Sequence, residues 1–313
     1  MTESATTTSR SFAGDADVAS ITRFLLDTYA LNQNLRNWEP RRWEGSIYHR
    51  SDVERAGAYE RMAREIRIWE NESGQIIGVA LTEYPGGLYM QVHPHYREIE
   101  AMMLEWAEAN LAQPTDDGKK KLEAWRYDDD TQGSALLREN GYEDTGDFMH
   151  LRRLRMDAET VMPTLTVPDG YRVRAMRLDP DDQRQMADVL NAGFNSNANT
   201  AESYRLFQEK APIYDAELDI VVEGPDGVLV STAGFTCDTG TRFGILEPCA
   251  THPKHQGKGL AQAAISEGLR RLQARGIDTV YVGVSGTEPI ANHVYNKLGF
   301  TEVMRDRRWR KVW

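Results

Sequence analysis

Cysteine is scarce: two residues in 313, Cys237 and Cys249. Two cannot build a disulfide framework, and their spacing is not that of a zinc site. No apolar run approaches the roughly 18 residues that cross a bilayer. The opening stretch MTESATTTSRSF lacks the apolar core of a secretion signal. Positive charge is also short, with 37 Lys and Arg against 48 Asp and Glu and a formal net charge of -11. The basic surplus that recognition of a phosphate backbone requires is therefore missing. These absences predict a cytoplasmic protein, monomer or homodimer, with no membrane or nucleic-acid partner.

What is present is an ordinary globular composition, 40% hydrophobic and 27% charged, in a chain long enough for two cores. The acidity is uneven. Residues 1–165 hold 19 basic and 29 acidic side chains, the remainder 18 and 19. Solubility is the simple reason for such a bias, and attraction of a cationic substrate the functional one.

The chain repeats itself. His93-Pro94 is followed by Gly141-Tyr142, and His252-Pro253 at nearly the same distance by Gly299-Phe300. Upstream of each His-Pro, Ile66–Tyr84 and Asp219–Cys237 both read strand, glycine turn, strand, with Pro225-Asp226-Gly227 as a defined turn. Further upstream, acidic caps open a helix in each half: Asp15 and Asp17, then Asp179, Asp181 and Asp182. Pro163, Pro168 and Gly170 break regular structure between the halves. The pattern predicts domains over 1–162 and 163–313, each β-α-β-β-β-α-β-α-β. That is an α/β (α+β) three-layer fold. After the His-Pro pairs, Ala261, Ile265, Leu269 and Leu272 form one helical stripe, and Ile99, Met103, Ala107 and Leu111 the other. Both are core faces. The tryptophans Trp38, Trp43 and Trp69, with Tyr48 and Tyr59, also read as core. His93 and His95 lack a third ligand of clear spacing, so no metal is expected.

The second half carries the chemistry. In HPKHQGKGLAQAA, Gly257 and Gly259 flank Lys258 just before a helix. Without Cβ atoms they let several N–H groups converge at a helix N-terminus, which suits a pyrophosphate. Lys258 and Gln256 add a charge and further donors. The spacing is neither that of a P-loop nor of a dinucleotide fingerprint. Downstream, VYNKLGF closes a second helix. The order strand, Q-x-x-G-x-A (Gln256, Gly259, Ala261), helix, strand, helix resembles the GNAT acetyltransferase superfamily, whose second signature is similar to VYNKLGF. As a tandem pair the resemblance covers nearly the whole chain.

That resemblance implies a mixed sheet with a splayed central pair of strands and acetyl-CoA as co-substrate. Backbone N–H groups of Gln256, Gly257, Lys258, Gly259, Leu260 and Ala261 would hold the pyrophosphate. Main-chain groups of Cys249, Ala250 and Thr251 would pair with the pantetheine as a strand would. Tyr295 would protonate the departing thiolate, since a free phenol with a pKa near 10 keeps its proton at neutral pH. Pro248 fits the splayed strand, because proline is excluded from an intact central ladder. For the base, Glu247 acting through water is the first candidate, with His252, Cys249 and the carboxylate of Trp313 as alternatives. The asparagine that the family often carries seven positions before the tyrosine is Glu288 here; Asn292 is the substitute.

Aligned on the His-Pro anchors, the first half has Glu98 for Gly257, Glu100 for Gly259, Met102 for Ala261, Leu88 for Glu247 and Leu137 for Tyr295. It is expected to keep the fold without binding acetyl-CoA. The resulting expectation is an N-acetyltransferase in which a small-molecule primary amine attacks the thioester directly. Its rival is a non-catalytic acyl-CoA-binding or sensing module. No motif selects the acceptor.

Overall fold

The computed structural model describes residues 7–32, 34–49, 58–157, 159–160 and 166–313. Pro163, at the expected domain boundary, lies outside them. The first half runs β1 (Thr8–Ser11), α1 (Asp15–Asn32), α2 (Pro40–Tyr48), α3 (Ala58–Glu65), β2 (Arg67–Glu70), β3 (Ile76–Leu81), β4 (Gly87–Val92), α4 (Glu100–Asn110), β5 (Gln113–Pro114), β6 (Lys120–Tyr127), α5 (Thr131–Glu139) and β7 (Glu143–Arg155). The second runs β8 (Arg172–Ala175), α6 (Pro180–Phe194), α7 (Ala201–Lys210), β9 (Asp219–Glu223), β10 (Leu229–Asp238), β11 (Phe243–Thr251), α8 (Leu260–Ala274), β12 (Thr279–Ser285), α9 (Pro289–Lys297) and β13 (Thr301–Val312). The expected β-α-β-β-β-α-β-α-β order is present in both, with α2, α3, α7 and the two-residue β5 added.

Two compact units emerge, and neither is contiguous. One gathers the described parts of Met1–Pro40 and Asp52–His150 with Met304–Trp313; the other gathers those of Arg41–Ser51 with Leu151–Val303. In the first, strands run β1-β2-β3-β4-β6, and the end of β13 then pairs antiparallel with β6 from Asp306↔Tyr127 to Val312↔Lys121. In the second the order is β8-β9-β10-β11-β12, followed by residues 151–155 of β7. Each unit is thus finished by a strand from the other half of the sequence.

Local chemistry explains the elements that frame the second unit. Asp179 caps α6 by accepting from the N–H groups of Asp181 and Asp182, Pro180 fills the first turn, and Asn195 ends the helix in the left-handed region at φ 50°. Every residue of β9 and all but the last two of β10 are buried, as strands covered on both faces must be. One face packs on α8 through Phe235, Leu246, Ala264, Ile265, Leu269 and Leu272. Ala261, expected in that stripe, is only half-buried, and Leu260 takes its place in the core. The other face packs on α6 and α7 through Met186, Leu190 and Tyr204. Helix, sheet and helix make the expected three layers.

Helix α8 lies unusually close to the sheet at Gly268, where an added Cβ would fall 2.0 Å from Cε2 of the buried Phe235. Gly268→Ala is therefore expected to destabilise the fold by about 1–3 kcal/mol through overpacking. Helix propensity alone would have favoured alanine by roughly 1 kcal/mol. Urea unfolding of the variant checks the sign.

Candidate functional site

Strand β11 bulges against β10 and parts from β12. Toward β10, Phe235 pairs with Leu246 and Ala233 with Cys249, so Glu247 and Pro248 together face Gly234 alone. This is a β-bulge, where a proline removes no ladder bond. Only glycine fits opposite it. A Cβ on Gly234 would stand 2.9 Å from Pro248 Cδ, 3.0 Å from the Glu247 carbonyl and 3.2 Å from Asp219 Oδ1. Toward β12, parallel pairing is confined to Phe243–Ile245 against Thr279–Tyr281, and past that point the strands part.

The backbone of β11 turns unequal faces to this opening. The His252 N–H donates to the Val230 carbonyl at 2.9 Å, which by alternation puts Ala250 in the ladder with Thr232. Cys249 and Thr251 then direct their N–H and C=O groups to the open side. Of the three expected pairing residues, these two have groups available to an extended amide.

The glycine turn lies at the end of that strand. Gly257 and Gly259 have φ +75° and +77°, with no atom within 4 Å of a Cβ at either, so backbone conformation and not packing demands glycine. Gly259 caps α8 without any side-chain cap. Among the described residues no protein acceptor takes the N–H groups of Leu260 and Ala261. Uncapped donors and the positive end of a fifteen-residue helix make an anion cradle. Lys258 Nζ donates to the Tyr171 hydroxyl at 2.6 Å, and the Gln256 side chain reaches the Thr251 carbonyl at 3.4 Å.

Tyr295, on α9, is buried. Its burial, with Cys249 and the Glu247 charge beside it, raises the phenol pKa well above its ordinary 10. Burial likewise pushes the Cys249 thiol up to about 12, against a hydrogen bond with Tyr295, so it carries no thiolate at neutral pH. Glu247 is exposed at the bulge. His252 is engaged in a turn, its Nδ1 accepting from the Lys254 N–H at 3.3 Å. Trp313 belongs to the first unit, where it exchanges backbone hydrogen bonds with Lys120. Asn292 offers the groove little: Oδ1 accepts from Arg152 at 2.9 Å, and Nδ2 donates to the Ser285 and Glu288 carbonyls at 3.2 and 2.8 Å.

The first unit repeats the opening as a cavity of about 420 Å³ lined by Asn37, Val92, Arg97, Glu100 and Arg126, but engages its polar groups from within the chain. Strands β4 and β6 pair only at Gly87–Leu88 against Glu123–Ala124 before they part. Val92, the counterpart of Thr251, has both outward backbone groups occupied by one carboxamide. Asn37 Oδ1 accepts from its N–H at 3.0 Å and Asn37 Nδ2 donates to its carbonyl at 3.1 Å. At the helix mouth, the buried Glu100 pairs with Arg97 at 2.9 Å and Arg126 at 3.1 Å, and Arg97 reaches Asp130 at 2.9 Å. Burial alone would raise the Asp130 pKa, but the two arginines and the Gly133 N–H hold it below the usual range. Leu88 and Leu137 are fully buried core residues.

Sequence reasoning missed Asn37, Arg152 and Gly234. Gly234 had a local signal, a lone glycine inside a strand pattern, which marks a bulge. Asn37 and Arg152 had none, because their partners are distant in sequence.

A mixed sheet opened beside an uncapped glycine turn, with a buried phenol on the following helix, defines an acyltransferase of the GNAT kind. The family model described as "Acetyltransferase (GNAT) family" matches residues 184–300, which include every one of these features. A mycothiol acetyltransferase of Nocardioides sp. is 28% identical over 270 residues, 77% of this chain and 83% of that protein. One from Frankia casuarinae is 30% identical over 261 residues, 75% of this chain and 71% of its own length. A tandem GNAT protein from the clavulanic acid biosynthesis pathway shares the fold at TM-score 0.64 and 14% identity, covering 98% of both chains. The chain belongs to the GNAT acetyltransferase family.

Because Asn37 takes the Val92 backbone groups and the Glu100 ion network holds the helix mouth, calorimetric titration with coenzyme A is expected to give one site per chain. Two equivalent sites would contradict the reading that these contacts remove the groups a cofactor needs.

Proposed function

We propose that the protein transfers an acetyl group from acetyl-CoA to a primary amine of a small molecule, at one site in the second unit. The half over residues 1–162 contributes no cofactor site of its own. The observation that carries this reading is the meeting, within one unit, of open β11 backbone, an uncapped glycine mouth and the Tyr295 phenol beside Cys249 and Glu247.

Each residue then has a task. The N–H groups of Gly257 to Ala261 bind the pyrophosphate, the expected Gln256 N–H being turned instead to the Pro253 carbonyl at 3.4 Å, and Cys249 and Thr251 fix the pantetheine by main-chain hydrogen bonds. The bound co-substrate supplies the activated acetyl group. Glu247, exposed at the bulge, takes the proton of the attacking amine through water. Tyr295 keeps its proton because burial and the nearby Glu247 charge disfavour phenolate, and it gives that proton to the leaving sulfur. Direct transfer needs no covalent enzyme intermediate, since orientation supplies much of the acceleration. The names of the relatives make a mycothiol-related amine the first acceptor to assay.

Tyr295→Phe, assayed by thiol release, is expected to lower kcat about 100-fold while leaving coenzyme A affinity within about threefold. Unchanged turnover would remove Tyr295 from the mechanism. A phenol pKa raised above 10 keeps the acid protonated throughout neutral and mildly alkaline solution. Wild-type kcat should therefore show no Tyr295-dependent decline up to about pH 10. A decline below that pH, absent from Tyr295→Phe, would count against the assignment. Gly259→Ala must hold a left-handed conformation that costs about 1–2 kcal/mol. It is expected to weaken acetyl-CoA binding roughly 5- to 30-fold, read by calorimetry.

A further inference from the structure

Helix α9 presents a mechanical problem. It has nine residues, Tyr295 is its one buried side chain, and Ile290 is 70% exposed. Ala291, Val294 and Leu298 touch the core from partly exposed positions. A helix this short has little stability of its own, and so thin an apolar face leaves its rotation weakly determined. Yet general-acid transfer requires the Tyr295 hydroxyl to be held within hydrogen-bonding reach of one sulfur.

The missing constraint comes from β7. Arg152 is buried there, and its guanidinium faces α9. Nε donates to Asn292 Oδ1 at 2.9 Å, Nη1 to Asn296 Oδ1 at 2.7 Å, and Nη1 also approaches the Phe300 carbonyl at 3.4 Å. Asn292 and Asn296 are one turn apart on the same helical face, a spacing that a planar guanidinium can bridge. Grasping both sets the rotation of the helix. Contact with Phe300 sets its end, and the Tyr295 ring packs against Phe300 at 5.9 Å between centroids. Asn292 is fixed from its other side by the carbonyls of Ser285 and Glu288, which ties the start of α9 to the end of β12.

We propose that Arg152 is a positioning residue for the Tyr295 phenol, aiming it through Asn292 and Asn296 without touching either substrate. The inference rests on Tyr295 being the general acid. Lysine would keep the charge and lose the planar fork, so it cannot hold both asparagines in the same geometry.

The test is a kinetic cycle on the full chain, with Arg152→Lys, Tyr295→Phe and the double variant. Arg152→Lys is expected to lower kcat about 10- to 100-fold, the scale of a misplaced reacting group, with the acetyl-CoA KM changing less than about threefold. In the Tyr295→Phe background the same change should cost less than about twofold, because no phenol remains to be aimed. A folded Arg152→Lys enzyme with full kcat, or an equal loss in both backgrounds, overturns the proposal. If Tyr295→Phe itself turns over normally, the assignment of Tyr295 fails and takes this inference with it; if only Tyr295→Phe is impaired, the clamp alone fails. Asn296 is exposed, so Asn296→Ala removes one arm of the clamp with little risk to folding. It should lower kcat about 3- to 10-fold and show the same loss of effect without the phenol, and it decides the matter if Arg152→Lys does not fold. An Asn296→Ala enzyme with full kcat overturns the proposal.

Discussion

The site depends on β11 being unable to remain in a regular sheet. Two residues of β11 stand where β10 offers one, and past Ile245 the parallel partner is gone. A strand held on one side only has polar backbone groups that need partners, and an amide-bearing chain of the right length can supply them. The bulge also places Glu247 at the edge of the opening and keeps Pro248 out of the ladder. Its tolerance is set by Gly234, since any side chain there would meet both bulge residues and the Asp219 carboxyl. The open groove is thus a consequence of failed strand pairing, with the glycine turn of α8 at its end.

The two units share one backbone plan and differ in what fills it. Where the second leaves the Thr251 N–H open and sets only the Gln256 side chain at 3.4 Å on its carbonyl, the first covers both groups of Val92 with the carboxamide of Asn37. Where the second has glycines before an uncapped helix, the first has Glu100 locked between Arg97 and Arg126. A compensated ion network of this kind is costly to break, because removing one partner strands a buried charge. The exchange from glycine to glutamate therefore puts a structural joint where the second unit has a bare, uncapped turn.

Much of this was legible from residue order. The repeat, the three layers, the turn at Gly227 and the cap at Asp179 are local patterns, and each appears where expected. The glycine mouth was legible for the same reason, because positive φ at Gly257 and Gly259 is a property of the residues themselves. The positions that orient the site were not. Arg152 acts on Asn292 and Asn296 across some 140 residues of sequence, and Asn37 acts on Val92 across 55. No periodicity or motif encodes such pairs. The expected role of Asn292 illustrates the difference: the residue type suits a cofactor contact, while its hydrogen-bonding capacity is taken by Arg152 and two carbonyls.

The exchange of closing strands bears on how the chain reaches this state. During synthesis the N-terminal unit emerges first, yet β6 meets its antiparallel partner only when residues 306–312 have been made. Until then its edge is an exposed row of unpaired donors and acceptors, which invites pairing with another molecule. Closing a loop of nearly two hundred residues costs little more entropy than closing a shorter one, but it places that step late. The sheet of the first unit therefore stays open at the edge of β6 until residues 306–312 are available to close it.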